Sequence, residues 1–194
     1  MTSASSVLGR PRDPAKDVAV LRATRELLVE VGYQGATVVA IARRAGVGAP
    51  TIYRRWPTKE ALVEEAAFGH PQPAPLPAPT GALHADLHAW VSTFLDFFAD
   101  PAVRAALPGL LTAYHHDEAV YERLVLRSEV DVRRQLVELL AAARPGVPHD
   151  PADADTVFDF LVGITVARAM TRGLTDRTAF CERTARALTV LAGG

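Results

Sequence analysis

The sequence predicts an all-α fold, and three observations carry that prediction. Apolar residues recur at a helical spacing of three and four along nearly the whole chain. Val, Ile and Thr are not gathered into short alternating runs, and Gly and Pro stand at the ends of the periodic segments. The 194 residues are 49% hydrophobic and 22% charged, which is enough apolar material for a sizeable core. The net charge of -1 hides an asymmetry: residues 1–59 hold ten basic against four acidic residues, and the remainder is acidic in excess. The two parts therefore prefer different partners.

Residues 1–13, rich in Ser, Ala, Gly, Pro and Arg, read as a flexible arm, either a plain terminus or a basic arm carrying Arg10 and Arg12. The first helix begins at Pro14 with Asp13 as its cap, aligns Val20, Thr24, Leu27, Leu28 and Val31, and ends at Gly32. Thr37 is placed to cap a second helix, 38–45, that buries Ile41, Ala42 and Ala45, with Gly46 as its stop. A third short helix fits between Gly48 and Pro57. At 100° per residue, Ala49, Ile52 and Trp56 share one face, Pro50, Thr51 and Arg54 the opposite one, and Tyr53 and Arg55 the flanks. Thr58 caps a fourth helix through Leu62 and Val63 to about Phe68. The residues 14–69 form the first domain.

Residues 70–80, with five alternating prolines, read as an extended, semi-rigid linker to a second domain, 81–194. There Leu83, Leu87, Trp90, Val91, Phe94 and Phe98 mark a fifth helix, and Asp100-Pro101 opens a sixth that Pro108-Gly109 is expected to interrupt. A long seventh helix is expected from Asp117 to Ala143, then a Pro/Gly turn and two last helices, 152–172 and 176–191. The total is about nine helices. The single cysteine, Cys181, excludes an internal disulfide and fits a reducing, cytoplasmic compartment. The longest uncharged stretch, 66–85, carries the five prolines, so neither a signal peptide nor a membrane span is expected.

Two short helices about a glycine turn, the second presenting Thr, Tyr and two Arg, have the form of a helix-turn-helix with a recognition helix for the major groove. The alternative for Arg43, Arg44, Arg54 and Arg55 is a solvated charged face. The segment from Val20 to Val63, VLRATRELLVEVGYQGATVVAIARRAGVGAPTIYRRWPTKEALV, resembles the TetR family of bacterial transcriptional regulators. It shows, in order, a first helix ending in Gly-Tyr, a Thr-capped second helix with Ile-Ala, the turn Ala-Gly-Val, a Thr-hydrophobic-Tyr recognition helix, and an aromatic-Pro-Thr-Lys-Glu-Ala-Leu start to helix four. The resemblance implies that Thr37 and Tyr53 hold phosphates, that Pro50, Thr51, Arg54 and Arg55 face the groove, and that Lys59 contacts the DNA backbone. Arg44, Gly48 and Ala49 complete the candidate DNA-binding set. Gly48 and Ala49 stand where family members often have Ser and Lys, which removes a strong cap and one cation from the head of the recognition helix.

For the second domain the resemblance implies an effector pocket and a dimer interface made by the last two helices, and a repressor that a small molecule releases from an inverted-repeat operator. The large groups available for the pocket are Trp90, Phe94, Phe97, Leu110, Leu111, Tyr114, Tyr121, Leu124, Phe158 and Met170, which suit an apolar or weakly polar effector. Val157, Phe160, Leu161, Ile164, Ala167 and Arg168, with Phe180, Thr184, Ala187, Leu188 and Leu191, form faces that pair with a second copy or else belong to an intramolecular core. His84 and His88, four apart, are the candidate metal pair, with His115, His116 and Asp117 at the next corner; no metal or other cofactor is expected. An enzyme finds no nucleophile motif and no phosphate-cradling loop. The rival function is a small-molecule-binding or dimerisation module that has lost specific DNA binding.

Overall fold

The computed structural model describes residues 14–69, 76–124, 129–144, 146 and 151–193. They form ten helical segments: α1 (Pro14–Gly35), α2 (Val38–Ala45), α3 (Ala49–Arg55), α4 (Lys59–Phe68), α5 (Leu83–Ala99), α6 (Pro101–His116), α7 (Glu118–Leu124), α8 (Val130–Ala143), α9 (Pro151–Thr171) and α10 (Arg177–Leu191). No strand occurs among the described residues. The all-α fold is as the periodicity predicts. The expected cap Asp13 and the N-terminal arm lie outside the described residues.

α1 to α4 make a small head in which α1 carries α2 and α4, and α1 and α4 both lie against α6 of the body. In the body, α5 is central, packed by α9 and α10. One buried cluster runs through both parts, from Leu28, Ile41 and Leu62 to Trp90, Leu95, Leu110, Leu136 and Leu161. Arg25 binds across this junction: its guanidinium donates to the carbonyls of Ala66 and Ala67 at the end of α4, at 3.0 and 3.4 Å, and to Asp100 at the α5–α6 corner, at 2.9 Å. Helix-end carbonyls left without partners favour such a cation.

Three expectations change. Gly32 does break α1, with φ 69° and ψ 179°, but one more turn follows to Gly35. Pro108 does not interrupt α6. It sits on the exposed side, where the carbonyl one turn back is left to water, and the helix continues through it. The stretch expected as one seventh helix is described as α7 and α8, with 125–128 between them outside the described residues.

Of the linker, 70–75 lies outside the described residues, and 76–80 is docked on the body instead of standing off as a spacer. The Trp90 indole donates to Pro77 O at 3.2 Å. The buried Asp86 carboxylate accepts from Thr80 N, Thr80 Oγ1 and Gly81 N at 2.6 to 3.1 Å, which satisfies the charge and fixes the chain entering α5.

Candidate nucleic-acid interface

The helix-turn-helix is assembled by local chemistry. Thr37 Oγ1 accepts from Ala40 N at 3.2 Å and starts α2, and Gly46, at φ 66°, ends it in the left-handed conformation. α3 starts at Gly48 with no side-chain cap, so Pro50, whose absent N–H needs no partner in the first turn, is what favours the helix there. Ile52 and Trp56 are 1% and 3% exposed and anchor α3 to the head. The Trp56 indole donates to Glu65 of α4 at 2.9 Å, fixing the angle between α3 and α4.

The outer side of α3 carries Pro50, Tyr53, Arg54 and Arg55, all exposed, with Thr51 half-buried beside them and Gly48 and Ala49 at its start. The basic side chains differ in how they are held. Arg54, and Arg43 at the end of α2, have no ion-pair or hydrogen-bond partner among the described residues. Arg55 pairs with Asp17 of α1 at 3.3 Å and lies 5.9 Å from the centre of the Trp56 ring. Arg44 is gripped by Glu30 through two bonds of 2.5 and 2.7 Å, which hold the Glu30 carboxyl below its usual range. Lys59 donates to Tyr33 O at 2.5 Å and sits 4.1 Å over the Tyr33 ring, and burial lowers its pKa. Arg44 and Lys59, read as contacts to DNA, are thus engaged within the head. The clamps Asp17 and Glu30 escape sequence reasoning because pairings 38 and 14 residues apart leave no mark in linear spacing. Arg43 was legible as a cation at the end of α2.

In the body the aromatic candidates mostly pack on one another. Phe94 stacks on Trp90 at 6.0 Å and meets Phe158 edge-on at 6.3 Å, while Phe97 lies between Phe68 and Phe98. Trp90, Leu110 and Phe158 are buried, whereas Leu111 and Tyr121 are 51% and 46% exposed and lie on the outside. Met170 lines an open cleft of about 350 Å³ with Val29, Pro101, Arg104 and Ala105. The Leu124 side chain lies outside what is described. Tyr114 is deeply set beside the Glu64 carboxylate, and burial together with that charge raises its pKa.

The last two helices divide. Val157, Leu161, Phe180 and Leu188 are buried within the chain itself, as the intramolecular-core alternative expects of them. Arg168 donates to Thr175 O and lies 5.0 Å over Phe180. Thr184 is half-buried, while Phe160, Ile164, Ala167, Ala187 and Leu191 are exposed. Of these, Phe160, Ile164 and Ala167 line an apolar surface groove with Asp159 and Gly163. His84 contacts Glu182 of α10 at 3.5 Å, and no group of three or more metal-ligating side chains occurs among the described residues. No described helix is long and apolar enough to cross a membrane.

Residues 20–66 match the family model for bacterial regulatory proteins of the tetR family, and residues 77–188 that for the tetracyclin repressor-like C-terminal domain. Among curated proteins, the chain is 43% identical over 58 residues to YdeS of Bacillus subtilis, an uncharacterized HTH-type transcriptional regulator, covering 30% of this chain and 29% of that one. It is 41% identical over 51 residues to an uncharacterized HTH-type regulator of Mycobacterium tuberculosis, covering 26% and 27%. The matches span under a third of those relatives' length. Similar folds occur in a TetR transcriptional regulator from Agrobacterium tumefaciens (TM-score 0.65, 21% identity, 92% of this chain and 94% of that one) and in Salmonella enterica GusR (0.62, 18%, 97% and 100%). The second family match alone spans more than half of the chain, and with the helix-turn-helix match before it the chain belongs to the TetR family: it is a helix-turn-helix DNA-binding transcriptional regulator and not an enzyme.

Proposed function

We propose that the protein is a homodimeric repressor that binds an inverted-repeat operator in the cytoplasm and is released by a small-molecule effector. Residues 14–69 read DNA and residues 81–194 bind the effector and the second copy. The observation that carries this reading is the third helix: seated by Ile52 and Trp56, it presents Tyr53 and an exposed, unpaired Arg54 on its far side. Pro50, Thr51 and Arg55 lie beside them on α3, Thr37 is exposed at the start of α2, and Arg44 and Lys59 reach the backbone only by exchanging their present partners for phosphate.

The exposed apolar groove of Phe160, Ile164 and Ala167 on α9, with Ala187 and Leu191 exposed on α10, supports the homodimer, because apolar surface of this kind is ordinarily covered. Two-fold symmetry then selects half-sites one helical turn apart, roughly 10 base pairs, or a multiple of it. The aromatic side chains of α5, α6 and α9 favour an apolar or weakly polar effector, oriented by the Tyr114 hydroxyl. Such a ligand releases DNA only by preferring one separation of the two heads over another. Repression as the sign of regulation follows the family.

Selection of bound duplexes from a randomised pool, retested across a salt series, examines this directly. An enriched palindrome with steep salt dependence is the expected result. Absence of enrichment at low salt favours the rival reading, a binding module without DNA, which the uncapped Gly48 and the engaged Arg44, Arg55 and Lys59 support.

A further inference from the structure

The junction between head and body contains an interlock at Tyr33 that shares only Lys59 with the DNA-reading surface. Tyr33 follows the break at Gly32, in the last turn of α1, and its ring packs against α6 at Gly109. A Cβ at Gly109 would stand 2.1 Å from Tyr33 Cδ1 and 2.2 Å from Cγ, so only glycine leaves the notch in which the ring sits. The same residue is tied to the start of α4. Its hydroxyl donates to Glu60 at 2.9 Å, and Lys59 donates to its carbonyl and covers its ring. Glu64, one turn on and buried, faces both Tyr33 and Tyr114, which places the carboxylate of α4 between α1 and α6. Only residues 56–58 separate α3 from α4.

We propose that Tyr33 is the positioning residue that makes the angle of the DNA-reading head follow α6: seated in the Gly109 notch and bonded through its hydroxyl to Glu60, its ring converts a displacement of α6 into a displacement of α4 and α3. This role rests on the reading of the chain as a DNA-binding dimer. The physical ground is close packing. A ring with no free space beneath it either moves with the helix it sits on or leaves it, since packed interiors transmit strain and do not absorb it. Gly32, at φ 69°, lets residues 33–35 shift without carrying all of α1 with them.

The test is a spin label on each protomer at Val39→Cys, a position 73% exposed on α2, with the native Cys181 fully buried and out of reach of the reagent. The label reports head-to-head distance in the dimer by pulsed electron paramagnetic resonance, and affinity for the selected duplex is measured alongside. Gly109→Ala is expected to displace the ring, shift the head separation by on the order of a few ångströms and weaken DNA binding roughly fivefold or more. Tyr33→Ala removes Cγ, Cδ1 and Cε1, the atoms that a Cβ at Gly109 would meet, so adding Gly109→Ala to it is expected to change neither distance nor affinity further.

A wild-type-like distance and affinity in Gly109→Ala would overturn the proposal, as would an equal effect of Gly109→Ala in both backgrounds. If Gly109→Ala alone does not fold, the pair decides: Tyr33→Ala/Gly109→Ala must fold and match Tyr33→Ala, and its failure to do so refutes the interlock. Wild-type protein that gives no inter-protomer distance or binds no duplex defeats the functional reading itself, and with it this role.

Discussion

Arg54→Ala separates reading DNA from folding. The side chain is exposed on α3 and has no partner among the described residues, so its removal orphans no buried group and leaves Ile52 and Trp56 in place. Stability should change by no more than about 0.5 kcal/mol, a shift of about 2 °C in melting temperature for a chain of this size. If Arg54 contacts a guanine edge through two bonds, each head loses about 1 to 3 kcal/mol, and two heads about 2 to 6 kcal/mol. At about 1.4 kcal/mol per tenfold, that is a loss of roughly thirtyfold or more for the selected operator. A scrambled duplex, which feels only the lost charge, should lose far less. Fluorescence anisotropy on both duplexes at two salt concentrations measures the difference. Equal losses on the two duplexes, or a fall in melting temperature well beyond that limit, would refute the assignment of Arg54 to base reading.

Other expectations follow from the same geometry. Asp100 caps α6 through Ala102 N and Val103 N and pairs with Arg25, so Asp100→Ala should cost about 1 to 2 kcal/mol, mostly from the cap, read as a lower denaturant midpoint at unchanged slope. Ile164→Asp places a charge in the exposed groove of α9 and should convert the dimer to folded monomers in sedimentation equilibrium; unchanged mass would move the interface elsewhere. Tyr33 and Tyr114 have raised pKa values, chiefly from burial and then from Glu60 and Glu64 respectively. A raised phenol contributes stability that is fully present below its unfolded value of 10.0 and is lost as pH climbs towards the folded value. Tyr114→Phe should therefore flatten the fall in stability above that pH, followed by denaturation at a series of alkaline pH values.

The parts of the fold that were legible are those whose cause is local. Thr37, Gly46, Pro50 and Thr58 act on backbone within three residues of themselves, so the caps, the turn and the extent of α2 to α4 could be written down in advance. Pro108 was misjudged because its effect depends on which way the helix faces, and on the solvent side the lost bond is replaced by water. The pairings of Arg44, Arg55 and Lys59 were invisible for a different reason. Each joins elements whose contact exists only after packing, and a surface arginine looks the same in sequence whether clamped or free. α9 is apolar on both its inner and outer sides, so periodicity could not divide Val157 and Leu161 from Phe160 and Ile164.

Arg25 and the shared core it crosses bear on how such regulators can be recombined. Its bonds join the end of α4 to the start of α6, and the contact of Tyr33 with Gly109 lies on the same junction. A foreign head grafted at the Pro-rich segment would meet a body surface shaped for Arg25 and Tyr33. The transplant that preserves signalling therefore has its seam inside the helices, with Gly109 and Asp100 travelling together with the head they receive.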